Sequence, residues 1–126
     1  MSHFTTIETE VRDIAALRDA CGEMGLALLD KAEARGFANA RLKADHVVRL
    51  RGPYDIAVQR QNGSHALTTD WWDGHVEKEV GPNFGRLLQL YAVHKATREA
   101  RKRGHRVTRR RATNGAIKLV LQGGAL

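Results

Sequence analysis

Asn62-Gly63 is the stretch that most narrows what this chain can fold into. A type I′ hairpin turn needs positive φ at both central residues, and Asn-Gly is the dipeptide that adopts it most readily. The flanking runs, YDIAVQRQ (54–61) and SHALTTDW (64–71), have the character of paired strands. A two-residue loop fixes the register by counting outward. Val58 faces Leu67, Ile56 faces Thr69 and Tyr54 faces Trp71 on one side of the ladder. Ala57 faces Thr68 and Gln59 faces Ala66 on the other. The same count sets Asp55 opposite Asp70, two carboxylates that repel unless something compensates.

The remaining elements follow from periodicity. Residues 3–11, rich in Thr, Ile, Val and Phe, read as a first strand. Asp13 is placed to cap a helix whose stripe is Ile14, Leu17, Cys21 and Met24, with Gly25 ending it. Residues 26–43 suit strand or helix about equally by propensity, and Gly36 marks a bend. Residues 44–51, with Val47, Val48 and Leu50, read as a strand closed by Gly52-Pro53. Gly81 to Arg103 reads as one long helix, with Asn83 a plausible cap and Phe84, Leu87, Leu88 and Tyr91 as its apolar face. Gly104 ends it. The last segment reads as a second hairpin around Asn114-Gly115. A two-residue loop there sets Arg110 opposite Leu119 on the apolar face, so either Arg110 snorkels or the loop is longer.

The predicted fold class is α+β, a single domain over 1–126. An antiparallel sheet built from hairpins carries two helices on one face, in the order β-α-(β)-β-β-β-α-β-β. No apolar run approaches the length of a membrane span, and the N-terminal residues lack the pattern of a signal peptide. With Cys21 the only cysteine, these features lead to the expectation of a cytoplasmic protein. Cys21 itself is expected to be a buried structural thiol.

Several motifs, taken in order, resemble the hypothetical chloroplast reading frame thirty-five family, a conserved domain of unknown function in plastids, cyanobacteria, other bacteria and phages. They begin with Met1-Ser2-His3-Phe4, Thr6-Ile7 and Glu10-Val11-Arg12-Asp13. Arg35-Gly36-Phe37, Ala44-Asp45-His46-Val47-Val48, Tyr54-Asp55-Ile56 and Thr69-Asp70-Trp71-Trp72 follow, then Leu90-Tyr91-Ala92-Val93-His94 and Gly115-Ala116-Ile117-Lys118-Leu119-Val120. The resemblance implies that the ambiguous 26–35 stretch is a strand. It implies no reaction. The basic run from Arg101 to Arg111 departs from the family's pattern.

That run is the main functional signal. Of a formal net charge of +7, the span 95–111 holds nine Lys or Arg and one acid, Glu99, while the other residues hold 12 basic and 13 acidic side chains. Arg98, Arg101 and Lys102 on the helix, continued by Arg106, Arg109, Arg110 and Arg111 on the strand, form a candidate nucleic-acid or anion-binding set. Arg outnumbers Lys seven to two in the run, which favours bidentate contacts to phosphate or carboxylate. The bland alternative is a solvated surface with cations at a helix C-terminus. Aromatics are not interleaved with the basic residues, so base stacking has little support.

A second candidate is a structural or cation cluster of Asp55 and Asp70, joined by His94 or His3, for which a neutralising basic partner is the simpler reading. His94 is expected to be hydrogen-bonded at the helix edge. His65 and His75 are expected to be exposed. Trp71 is expected in the core, and Trp72 on the opposite face as a partner contact. No zinc spacing, nucleophile elbow, phosphate loop or dinucleotide fingerprint occurs, so no metal, cofactor or catalytic residue is predicted. The leading expectation is a non-enzymatic basic binding module for DNA or RNA. The alternatives are an accessory subunit docking an acidic protein surface and, third, a metal or acid–base site at the paired Asp residues.

Overall fold

The computed structural model describes residues 3–123, so Met1 and Ser2 lie outside the described residues. Five strands form one antiparallel sheet: β1 (Phe4–Glu8), β2 (Ala27–Arg35), β3 (Arg41–Arg49), β4 (Ile56–Gln61) and β5 (Ser64–Asp70), in the spatial order β1-β5-β4-β3-β2. Helix α1 (Ile14–Glu23) follows β1, and a single turn, α2 (Glu77–Val80), precedes the long helix α3 (Gly85–Lys102). The last two strands, β6 (His105–Arg111) and β7 (Ile117–Gly123), form a separate two-stranded ribbon. The ambiguous 26–35 stretch is strand, as the family resemblance implied.

The Asn-Gly hairpin forms in the expected register, with Val58 opposite Leu67 and Ala57 opposite Thr68. Asn62 and Gly63 have φ of 51° and 79°, the two positive values that the turn requires. One face of the sheet carries Leu28, Val48, Ile56, Val58 and Leu67, which pack with Leu17 and Cys21 of α1 and Leu87 and Tyr91 of α3. Both helices therefore cover the same face. Asp13 caps α1 as expected, its carboxylate accepting from the Ala16 N–H. The Cys21 thiol is fully buried, and burial raises its pKa to about 11. It has the environment of a structural thiol.

The start of α3 differs from expectation. Asn83 and Phe84 have positive φ and the helix begins at Gly85, with no side chain capping it. Phe84 is instead fully buried and stacks on Trp71 at 4.7 Å between ring centroids. Core packing of that ring overrides the capping preference of its neighbour.

The β2–β3 hairpin is bent. Lys31 has φ 46° and interrupts the ladder between the Asp30–His46 and Ala32–Ala44 pairs. Beyond the interruption, Ala34 and Ala44 pack with Val47 and Ala57 in a second buried cluster. Val47 and Ala57 alternate with the helix-facing Val48 and Val58, so this cluster occupies the sheet face opposite the helices. Small side chains allow the strands to lie closely over that face. The tip of the hairpin reaches the far end of the sheet, where the Phe37 N–H donates to Asp70 Oδ2 at 3.2 Å.

Asp55 and Asp70 anchor this arrangement, and they do not form the pair that the register count placed together. Asp55 is fully buried. Its Oδ2 accepts from Arg35 Nε at 2.8 Å and the Arg35 backbone N–H at 2.9 Å; its Oδ1 accepts from Arg35 Nη2 at 2.8 Å and the Leu50 N–H at 3.1 Å. Arg49 Nη1 stands 3.6 Å from Oδ2. Burial pushes the Asp55 carboxyl upward, but the bonds and charge supplied mainly by Arg35 outweigh it and hold the group below its ordinary range. Asp70 Oδ1 accepts from the Trp72 N–H at 3.0 Å, closing the turn after β5. His94 does not join either carboxylate; it bonds Glu23. His94 therefore lies outside the candidate Asp55–Asp70 cluster. Among the described residues, no group of three or more His, Cys, Asp or Glu side chains is arranged to hold a metal ion.

Candidate nucleic-acid interface

The basic segment folds as a helix end followed by a ribbon that runs back along the same helix. Gly104 turns the chain after α3, and the loop beyond β6 returns to Gln89, whose Nε2 lies 3.5 Å from Gly115 O. Strand β6 pairs with β7 so that Arg109 faces Leu119, Arg110 faces Lys118 and Arg106 faces Gln122. The loop is five residues long, 112–116, closed by the Ala112 N–H to Ala116 O bond at 2.8 Å. The longer loop resolves the misplaced arginine: one step of register moves Arg110 off the row of Val107 and Leu119.

Alternation then sorts the ribbon into two faces. Val107, Arg109, Ile117 and Leu119 share one, and Val107, Ile117 and Leu119 are half-buried. Arg106, Arg110 and Lys118 share the other and are all exposed, with Thr108 between the arginines. No Asp or Glu follows Glu99, so this outward face carries cations without a local acid.

Two members of the sequence-predicted set have partners within the protein. Arg98 binds Asp19 of α1 through both carboxylate oxygens, at 2.5 and 3.1 Å, locking α3 to α1. Arg109 Nη1 reaches Glu23 Oε2 at 2.8 Å, and His94 Nε2 stands 2.7 Å from Glu23 Oε1, so one carboxylate ties together α1, α3 and the ribbon. The Arg98 and Arg109 hydrogen bonds are the main reason that the Asp19 and Glu23 carboxyls are held below their ordinary values. The other five behave differently. Arg101, Lys102, Arg106, Arg110 and Arg111 are exposed and have no ion-pair partner among the described residues. Lys102 also borders the groove between α1 and α3, beside Arg18 and Arg101.

Trp72 is exposed as expected, at 44%, and its ring meets Phe37 edge-on at 5.6 Å between centroids. Phe37, at 38% exposure, was not singled out by the sequence because it comes from the hairpin tip. The histidine expectations need correction. His65 is buried, at 7% exposure, because its ring sits under the segment leading into α1, with Nδ1 bonding Val11 O at 2.6 Å. His75 is half-buried against the Tyr54 ring.

The model of a family described as proteins of unknown function, DUF1257, matches residues 20–120. The chain belongs to this family. The DUF1257 match runs from the last turn of α1 through β2 to β5 and α3 to the first half of β7, and so covers the basic segment. The chain is also similar to an uncharacterized protein, ycf35, of Pyropia yezoensis, with 26% identity over 126 residues covering 97% of each chain. That similarity supports the chloroplast reading frame resemblance seen in the motifs. No solved structure matches the chain. No helix among the described residues is long and apolar enough to cross a membrane.

Proposed function

We propose that this protein is a sequence-independent nucleic-acid-binding module whose contact surface is the outward face of the β6–β7 ribbon and the adjoining end of α3. The observation that carries the reading is the row Arg106, Arg110 and Lys118 on one ribbon face, exposed and without acids, next to the exposed Arg101 and Lys102. A two-stranded ribbon is narrow enough to enter a major groove, and its cations then meet phosphates on either side. Arg98 and Arg109 serve a different purpose in this reading: by fixing α1, α3 and the ribbon to one another they hold the surface rigid. The test is fluorescence anisotropy with labelled duplex DNA, single-stranded DNA and RNA at low salt. Arg106→Ala combined with Arg110→Ala is expected to weaken binding to all of them by a similar factor. No binding by the wild-type protein at low salt would sink the proposal.

A second reading is favoured by the exposed Trp72–Phe37 pair, an aromatic contact of the kind enriched at protein interfaces. It makes the protein an accessory subunit for an acidic partner. Co-purification of such a partner at moderate salt, lost on Trp72→Ala, supports this reading; retention in that variant excludes it.

A further inference from the structure

A cleft of about 810 Å³ opens on the helix side of the sheet, away from the residues that the basic run singled out, apart from its rim. Its wall includes His46 of β3, Arg60 of β4 and His65 of β5; its rim includes Lys31 and, from α3, Lys95 and Lys102. The two imidazole centroids are 6.2 Å apart. Each ring is held by Nδ1: His46 to Asp30 Oδ1 at 2.8 Å, His65 to Val11 O at 2.6 Å. A carbonyl oxygen only accepts, so His65 Nδ1 carries a proton. With Nδ1–H committed in this way, Nε2 is a lone-pair acceptor in the neutral ring and donates to an anion only when it too carries a proton. His65 is more than nine-tenths buried and still borders this cleft.

The charges around the cleft are unequal in their commitments. Asp30 accepts from both His46 and Arg18. Asp45 accepts the Arg60 backbone N–H at 2.8 Å, and Asp13 caps α1. Each acid at the cleft thus has work inside the fold. Lys31, Arg60 and Lys102 have no side-chain partner among the described residues, and Lys95 has only a 3.8 Å approach to Glu99. Two imidazoles with oriented Nδ1 atoms also suit a metal ion, but unpartnered cations around the same space oppose one, and no third donor completes a site. The remaining chemistry is an anion with several acceptor oxygens.

We infer that this cleft is a binding site for a phosphate monoester, with Arg60 and Lys102 as its charged contacts and the rings of His46 and His65 in its wall. The guanidinium is the main contact because a planar fork pairs two phosphate oxygens at once. The monoester is either that of a free nucleotide or the 5′-phosphate at a strand end, which the shared rim residue Lys102 would bring next to the basic ribbon. The site stands on its own observations and does not depend on the ribbon binding nucleic acid.

The test follows the imidazole 15N and 1H signals of His46 and His65 by NMR while inorganic phosphate, adenosine monophosphate, a 5′-phosphorylated tetranucleotide and its 5′-hydroxyl counterpart are titrated separately. Saturable shifts of both rings are expected with phosphate and with the monoesters. They should weaken about tenfold in Arg60→Gln, a substitution at an exposed side chain that leaves the Arg60 backbone bond to Asp45 in place. Equal affinity for adenosine monophosphate and the phosphorylated tetranucleotide identifies the free-nucleotide source; clear preference for the latter identifies the strand end. Unmoved rings at tens of millimolar phosphate, an unchanged affinity in Arg60→Gln, or tighter binding of zinc than of phosphate would each overturn the inference. The pair Arg106→Ala, Arg110→Ala should leave these shifts intact, so failure of the cleft and failure of the ribbon are separately visible.

Discussion

Replacing Asp55 by Ala removes the acceptor on which the bent hairpin closes. In the native fold its two oxygens accept four bonds, three of them from Arg35, inside a site with no solvent exposure. Breaking a buried ion pair by deleting one partner costs about 3–5 kcal/mol. Arg35 is 30% exposed, so its guanidinium regains some water when the carboxylate is gone. That places the loss near the lower end, about 3 kcal/mol. For a chain of this length the unfolding entropy is about 0.26 kcal/mol/K, so Tm should fall by about 11 °C. Circular dichroism melts at pH 7 measure it. The Asp55 carboxyl lies below its ordinary value in the folded state. Its stabilisation is therefore present above the unfolded pKa of about 4 and is lost as pH falls through the folded value. The difference between wild type and Asp55→Ala should accordingly shrink in acid. A Tm within about 3 °C of wild type at pH 7, or a difference that grows on acidification, refutes the argument.

Two other substitutions probe different parts of the scaffold. Tyr91→Phe deletes a hydroxyl that accepts from the Arg12 and Asp13 N–H groups at 3.0 and 3.1 Å; leaving both donors short should cost about 2 kcal/mol in urea unfolding at pH 7. Gly81→Ala forces a side chain into φ 84°, ψ 165°, with its Cβ 3.0 Å from the Arg86 backbone nitrogen. It should lower Tm by about 8 °C, and no change would mean that the turn before α3 is not strained by a Cβ.

Much of this architecture was legible because it depends on local chemistry. Asn62-Gly63 set the register of its hairpin through turn geometry alone, whereas Arg110, by falling on an apolar row, left two readings of the second loop open. Asp13 and the stripe from Ile14 to Cys21 marked α1. The bent hairpin was not legible, because a positive φ at Lys31 has no sequence signature. The register count misplaced Asp55 for a related reason: its partner Arg35 arrives from a hairpin that folds across the sheet. The candidate surface shows the same division. Its charge was plain in the sequence, and its two internal ties were not, since Arg98 and Asp19 are 79 residues apart and Arg109 and Glu23 are 86 apart. The His46–His65 cleft was missed because its residues lie on separate strands, and His65 carries no local sign of being buried.

The central claim concerns phosphate contacts, and the salt dependence of binding reads them most directly. The proposed surface presents five cations, Arg101, Lys102, Arg106, Arg110 and Lys118, so log K against log[salt] on duplex DNA should fall with a slope of about −4.5. Arg106→Ala with Arg110→Ala should reduce that slope by about 2, while Asp70 and Trp72 substitutions leave it unchanged. A slope near zero, or one that the double variant does not alter, would contradict the assignment of the ribbon face as the nucleic-acid contact.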